Sequence, residues 1–372
     1  MGSQNASPEE PEKQKDRLHG RGARTNVGGR YERYVSEAFD DGWGAEAEQP
    51  LETIVTPELA KTIISRNNSP DIGFDQSINT YRGCEHGCIY CYARPNHAYA
   101  GLSPGLDFET RLFVKANAAE VLEQEFAKPR YRARTIMMGG VTDIYQPIER
   151  GYGVTRAVLQ VMSRWRHPVS LITKSQLILR DLDILAPMAE RGLAKVAISV
   201  TTLDRKLARV MEPRAATPSR RIEVIRTLAS AGVPVTVMNA PLIPAINDNE
   251  IEDVLGAASE AGARSAGYVV LRLPLEIKDL FREWLEAHFP DRARHVMALV
   301  RQMRGGKDYD PQWFKRGVGE GPYAKLIADR FARACRKLGL NAERKPLDAT
   351  QFRRPIEDTG QPDLFEAPNS SP

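Results

Sequence analysis

The chain has 372 residues, 42% hydrophobic and 27% charged, and its 52 Lys and Arg against 48 Asp and Glu leave a net charge of +4. This is an ordinary globular composition, long enough for one large α/β domain with tails, and the mild positive charge permits a polyanionic partner without demanding one. Four cysteines, three of them in one loop, exclude a disulfide framework, and the lack of an apolar leader or of a run of about 18 apolar residues predicts no signal peptide, no membrane span and a cytoplasmic protein.

Residues 1–50 are polar and rich in Gly, Arg, Glu and Ser, and are expected to be a mostly disordered tail. Its basic run, with Arg17, Arg21, Arg24, Arg30 and Arg33, reads either as a nucleic-acid or acidic-patch contact or as a solvated tail. Residues 51–75 form a lead-in, in which Thr56-Pro57-Glu58 predicts a short helical turn with Pro at its first position. Gly73–Arg82 predicts the first strand, which delivers the cysteine-bearing loop at its C-terminal end.

Strands and helices then alternate. Buried strands are predicted at Thr135–Gly139, Val169–Thr173, Lys195–Thr201, Pro234–Ala240 and Gly267–Leu273. Amphipathic helices are predicted at Asn117–Phe126, Val154–Trp165, Leu177–Glu190, Ser219–Ala231 and Glu250–Ala261. Six strands separated by helices predict a parallel sheet with right-handed crossovers, an α/β fold of the partial (β/α)6 TIM type, with its core at residues 76–275. In such barrels the loops after the strands build the active site. Residues 276–342 predict a C-terminal helical cap, and 343–372 a disordered tail.

The informative stretch is NTYRGCEHGCIYCYARPNHAY, residues 79–99, with Cys84, Cys88 and Cys91 spaced C-x3-C-x2-C. Cys88 and Cys91 can chelate one centre from a single turn, and Gly83 and Gly87 give Cys84 freedom to reach a third vertex. Soft thiolates select an iron–sulfur cluster, zinc or Cu(I). A structural zinc site or a ferredoxin-type cluster is normally closed by four ligands, so three cysteines leave one corner of a four-iron cluster open. Tyr90 puts an aromatic ring between the last two cysteines. Zinc with His86 or His97 as the fourth ligand remains an alternative.

Other strand ends carry candidate groups. Gly139-Gly140 exposes backbone groups before Thr142-Asp143, or makes an ordinary turn. Lys174 ends the next strand and suits a carboxylate. Ser199, Thr201 and Thr202 offer hydroxyls, and Arg272 is either a supporting residue or an anion clamp. Asn247 and Asp248 read as helix caps. Tyr92, Tyr145 and Tyr152 are candidate hydrogen relays or packing residues.

The cysteine spacing with its aromatic residue resembles the C-x3-C-x-aromatic-C signature of radical S-adenosylmethionine (SAM) enzymes. That resemblance implies a [4Fe–4S] cluster on Cys84, Cys88 and Cys91, with SAM chelating the open iron. It further implies reductive cleavage to a 5′-deoxyadenosyl radical that abstracts hydrogen from a substrate. The stretches RGCEHGCIYCYARP, VTDIYQPIER, LITKSQLILRDLDIL, ISVTTLD and MEPRAATPSRRI resemble the spore photoproduct lyase-like branch. By that likeness Tyr90, Gly139, Gly140, Thr142, Lys174 and Ser199 bind the cofactors. A reductant such as flavodoxin or ferredoxin and a nucleic acid substrate are also implied. One departure matters: the lyases carry a hydrogen-donating cysteine just before the Thr-Asp, where this chain has Gly140-Val141. That argues against photoproduct repair. The competing readings are a zinc- or cluster-containing nucleic-acid-binding protein and a redox sensor, neither turning over SAM.

Overall fold

The structure, a computed structural model, describes residues 20–31, 51–343 and 345–355. Its first strands are β1 (Ile54–Glu58), β2 (Ile64–Arg66), β3 (Gln76–Ile78), β4 (Tyr81–Arg82) and β5 (Arg111–Lys115). They are followed by β6 (Ile136–Met138), β7 (Val169–Thr173), β8 (Ala194–Ser199), β9 (Val235–Leu242) and β10 (Ser265–Val270). The main sheet runs β10-β9-β8-β7-β6-β3-β2, parallel throughout except for the antiparallel edge strand β2. Its six parallel strands, with helices between them, make the partial (β/α)6 barrel expected from the alternation. The near-continuous apolar runs of β7 and β8 follow from burial on both faces.

The helices obey the same logic. Helix Val154–Arg164 buries Val154, Val158, Val161 and Met162, a stripe at helical spacing that packs against the sheet. Helix Arg205–Met211 begins where the Asp204 carboxylate accepts the Lys206 and Leu207 amides, at 2.7 and 3.3 Å. The main core joins these stripes to both faces of the sheet and also takes in Ile327 and Phe331 of the late helix Gly321–Lys337.

Several expectations are corrected. Thr56-Pro57-Glu58 is not a helical turn. It belongs to β1, which pairs in parallel with β5 in a second, three-stranded sheet ordered β1-β5-β4. The branched residues Ile54, Val55 and Thr56 favour the strand, and Pro57 is tolerated because β1 is an edge. The first strand is also split: the chain leaves the main sheet after Ile78, and β4 pairs with β5 before entering the cysteine loop. Asn247 is not a simple cap. Its side chain donates to the Thr201 and Pro241 carbonyls at 2.8 and 3.0 Å and accepts the Ile243 amide, binding the ends of β8 and β9 together.

Part of the expected tail is packed. Ala23 is 1% exposed, because the Gly22 and Ala23 amides donate to the buried Glu109 carboxylate at 2.9 and 2.8 Å. Two hydrogen bonds to a charged acceptor offset the ordering of a polar segment. At the other end, Phe352 packs against Phe126, Trp165 and His167. Residues 1–19, 32–50 and 356–372 of the expected tails lie outside the described residues.

Beyond β10, helices Ile277–His288 and Pro290–Gln302 bury Leu280, Phe281, Trp284, Val296 and Val300. This second core includes Cys88, Ile89 and Tyr90 and so walls one side of the cysteine loop. No helix among the described residues is long and apolar enough to cross a membrane.

Candidate active site

The cysteine loop sits at the C-terminal end of the parallel sheet, where β4 hands the chain on to a 3-10 helix at Arg94–Ala100. Gly83 and Gly87 have φ of +74° and +66°, the left-handed conformation that the loop demands. Cys84 and Cys88 are buried, Cys91 is half-buried, and all three are free thiols.

Three sets of bonds fix the loop. Behind it lies Arg94, wholly buried, which donates to the Cys88, Gly87, Pro104 and Gly105 carbonyls at 2.9–3.1 Å and to the Glu109 carboxylate. Glu109 also holds Gly22 and Ala23, so the N-terminal segment is strapped across the back of the loop. The approach is so close that a Cβ on Gly22 would lie 1.7 Å from the Gly87 carbonyl oxygen. From the β6 side, the Gln146 side chain accepts the Glu85 amide at 2.8 Å and donates to the Gly83 carbonyl at 3.2 Å. From the β8 side, the Ile89 amide donates to the Met211 carbonyl at 3.1 Å.

The front of the loop meets the strand ends. Asp143, after β6, accepts the Thr173 hydroxyl at 2.7 Å and the Lys174 amide at 2.8 Å. Its carboxylate also lies 3.3 Å from His86 Nδ1, close enough for an ion pair but outside hydrogen-bond alignment. One carboxylate therefore ties the cysteine loop, β6 and β7 together. Burial works against its charge, but His86 and the donors around it hold it below the usual carboxylate range.

Glu212 plays the same part for β8. It accepts the Tyr90 and Thr201 hydroxyls and pairs with Arg221, whose guanidinium also donates to the Ser199 carbonyl at 3.1 Å. Burial opposes its ionisation, yet Arg221 and Lys174 bring it down to about 2. The Lys174 ammonium lies 5.8 Å from the centre of the Tyr90 ring. Burial pulls its pKa down, but Cys88 and Glu212 outweigh that and leave it raised. Lys174, Tyr90 and Ser199 thus share one charged assembly beside Cys88.

The two glycines differ. Gly139 has φ of +90°, and a Cβ there would lie 2.2 Å from the Ile172 carbonyl oxygen, so β6 ends pressed against β7. The Gly140 carbonyl accepts the Tyr92 hydroxyl. Thr142 is buried and donates to the Tyr81 carbonyl at 3.1 Å. A cavity of about 320 Å³ opens beside these residues, lined in part by Asn79, Gly83, Ala93, His97, Val141 and Thr142.

Three free thiols on one loop are soft donors of the kind that hold an iron–sulfur cluster or zinc. Burial pushes Cys88 up to about 12 and raises Cys84 well above the ordinary thiol value, a shift that the positive charge of a bound metal would oppose. Among the described residues no three His, Cys, Asp or Glu side chains converge as around one ion. His97 Nε2 is bonded to the Arg111 carbonyl at 2.9 Å, and burial lowers the ring to about 4. Tyr145 donates to Asp181 away from the loop. Cys335 lies in the main core.

Comparison with known proteins agrees with this geometry. The radical SAM superfamily model matches residues 78–258. An uncharacterized protein of Mycobacterium tuberculosis is 32% identical over 292 residues, covering 77% of this chain and 82% of its own. An uncharacterized protein of Methanocaldococcus jannaschii is 28% identical over 214 residues, 58% of this chain and 76% of its own. The chain belongs to the radical SAM superfamily, and that membership marks it as an enzyme. Its fold is similar to that of spore photoproduct lyase complexed with dinucleoside spore photoproduct, at 14% identity and a TM-score of 0.55, over 77% of this chain and 80% of that one. The likeness is one of fold.

Proposed function

We propose that Cys84, Cys88 and Cys91 hold a [4Fe–4S] cluster with one open iron, and that SAM binds there against Gly139, Gly140, Thr142, Lys174 and Ser199. When bound, these groups supply one-electron reductive cleavage of the sulfonium, giving methionine and a 5′-deoxyadenosyl radical that abstracts hydrogen from a substrate. The observation that carries the reading is the charged assembly in front of the loop: Lys174 and Tyr90 sit beside Cys88, held by a buried Glu212–Arg221 pair.

The chain's own residues do three things in this account. Lys174 offers a fixed cation to a carboxylate, and the Glu212 charge keeps it protonated. Tyr90 presents its ring beside the cluster ligands while its hydroxyl is anchored in Glu212. The second core and the strap of residues 20–31 exclude water from the back of the loop.

The reducing electron comes from a partner such as flavodoxin or ferredoxin. A nucleic acid substrate is supported by the likeness to the lyase structures. Photoproduct repair is not part of the proposal, because Gly140 and Val141 stand where a hydrogen-donating thiol is needed. Against the zinc reading, His97 Nε2 is already bonded to the Arg111 carbonyl, which leaves His86 as its remaining candidate fourth ligand. The test is anaerobic reconstitution with iron and sulfide, then SAM and dithionite. The expected product is 5′-deoxyadenosine, and its absence from a fully loaded protein overturns the reading.

A further inference from the structure

We propose that Arg272 is the anion-recognition residue of the substrate site, receiving a phosphate or carboxylate oxyanion at the barrel mouth. The proposal rests on the radical SAM reading of the cysteine loop, and it names the chemistry of the group that the substrate presents there.

Arg272 lies two residues beyond β10, at the same end of the sheet as the cysteine loop. Its guanidinium carbon stands 4.8 Å from the centre of the Tyr92 ring, and Tyr92 directly follows Cys91. The Tyr92 hydroxyl is anchored on the Gly140 carbonyl, so the ring is a fixed platform between the cluster loop and the end of β6. The guanidinium therefore faces the region where the reaction is proposed to occur.

Its charge is unbalanced. No carboxylate among the described residues lies within ion-pair distance of Arg272. Among the described residues its one side-chain hydrogen bond is a long 3.4 Å donation to the Tyr309 hydroxyl, and its Nε is shielded from solvent with no acceptor. The neighbouring arginines are engaged. Arg316 forks onto Asp71 at 2.5 and 2.7 Å. Arg304 donates to the Leu271 and Lys315 carbonyls at 2.8 and 2.7 Å. Of the acids on the covering loop, Asp308 pairs with Arg282 and Arg301, and Asp310 accepts the Gln312 amide.

A half-buried guanidinium with a shielded Nε and no counter-ion carries a cost, and Arg cannot relieve it by losing its proton. Such a group persists where it has a partner to receive. The planar fork suits a two-oxygen acceptor, with the Tyr309 hydroxyl beside it as a further donor.

The test is thermal unfolding of the reconstituted full chain, titrated with inorganic pyrophosphate in one arm and succinate in the other. In the wild type, one of the two raises the melting temperature saturably, and which one does so separates phosphate from carboxylate recognition. Arg272→Gln weakens that apparent affinity by roughly tenfold or more, the scale of one charge-assisted hydrogen bond. Without anion it melts no lower than the wild type, as removing an unpaired charge should allow. Should it fail to fold, Arg272→Lys decides, with a weakening of roughly threefold to tenfold expected from the lost fork. The proposal is overturned if neither anion shifts the wild type, or if the shift survives unchanged in the variant. It is also overturned if saturating SAM abolishes the shift, which would put the anion in the cofactor pocket. Failure of the radical SAM reading is read separately, as absence of 5′-deoxyadenosine from the wild type.

Discussion

The two sides of the cysteine loop are held by different chemistry. Behind it, Arg94 and Glu109 are both fully buried and satisfied by each other, by backbone carbonyls and by the Gly22 and Ala23 amides. In front, Lys174, Glu212 and Arg221 form a charged set that faces Cys88 itself. The back is a closed network whose every charge has its partner within the protein. The front includes the thiol, so its balance changes when the thiol becomes a metal-bound thiolate. One side holds the loop's shape and the other answers to what the loop carries.

The largest effect tests the loop itself. Replacing any of Cys84, Cys88 or Cys91 with Ala is expected to abolish cluster retention, read as iron and sulfide per chain, and with it any SAM cleavage. The back network comes next. Arg94→Ala or Glu109→Ala leaves a buried charge unpaired and is expected to cost roughly 3–5 kcal/mol in denaturant unfolding, with loss of cluster uptake as a consequence of the collapsed loop. The double variant costs less than the sum of the two, since each single variant strands the other's charge.

The front is separable by pH. Glu212 is held down to about 2 from an ordinary 4.5. Its contribution is therefore fully present above pH 4.5 and is lost as pH falls through about 2. Glu212→Gln should flatten that acid limb by on the order of 3 kcal/mol. An unchanged acid limb would mean that Glu212 is not the charged partner of Arg221. A smaller loss, roughly 1–3 kcal/mol, is expected from Gly139→Ala, whose φ of +90° strains any side chain. The smallest effect marks the outside of the comparison. Trp313 is 49% exposed, and Trp313→Ser should change stability by less than about 0.5 kcal/mol.

What was legible in the sequence follows the range of the interactions. Strands β6 to β10 are visible because each is a short apolar run beside an amphipathic helix, a signal carried by consecutive residues. The second sheet was not, because β1 and β5 are separated by more than fifty residues and neither announces its partner. Helix Pro290–Gln302 lies inside the helical cap expected over 276–342, with its buried stripe at Ala293, Val296, Met297 and Val300. The cysteines and Lys174 were legible as motif members. Asp143, Glu212, Arg221, Arg94 and Glu109 were not singled out, because their role exists only as contacts between residues distant in the chain. A hint was present all the same: Asp143 and Glu212 lie inside stretches noted for their likeness to the lyase-like branch. Segment 20–31 was misjudged because composition registers its polarity and not the single buried carboxylate that receives it.

The central claim is that three thiolates leave one metal corner open for SAM. The most direct measurement is the electron paramagnetic resonance spectrum of the dithionite-reduced, anaerobically reconstituted protein, recorded with and without SAM. The account predicts a four-iron signal whose g-values move when SAM is added, as its amino and carboxylate groups occupy the open iron. A signal unchanged by saturating SAM, or a colourless protein with about one zinc per chain, would contradict it.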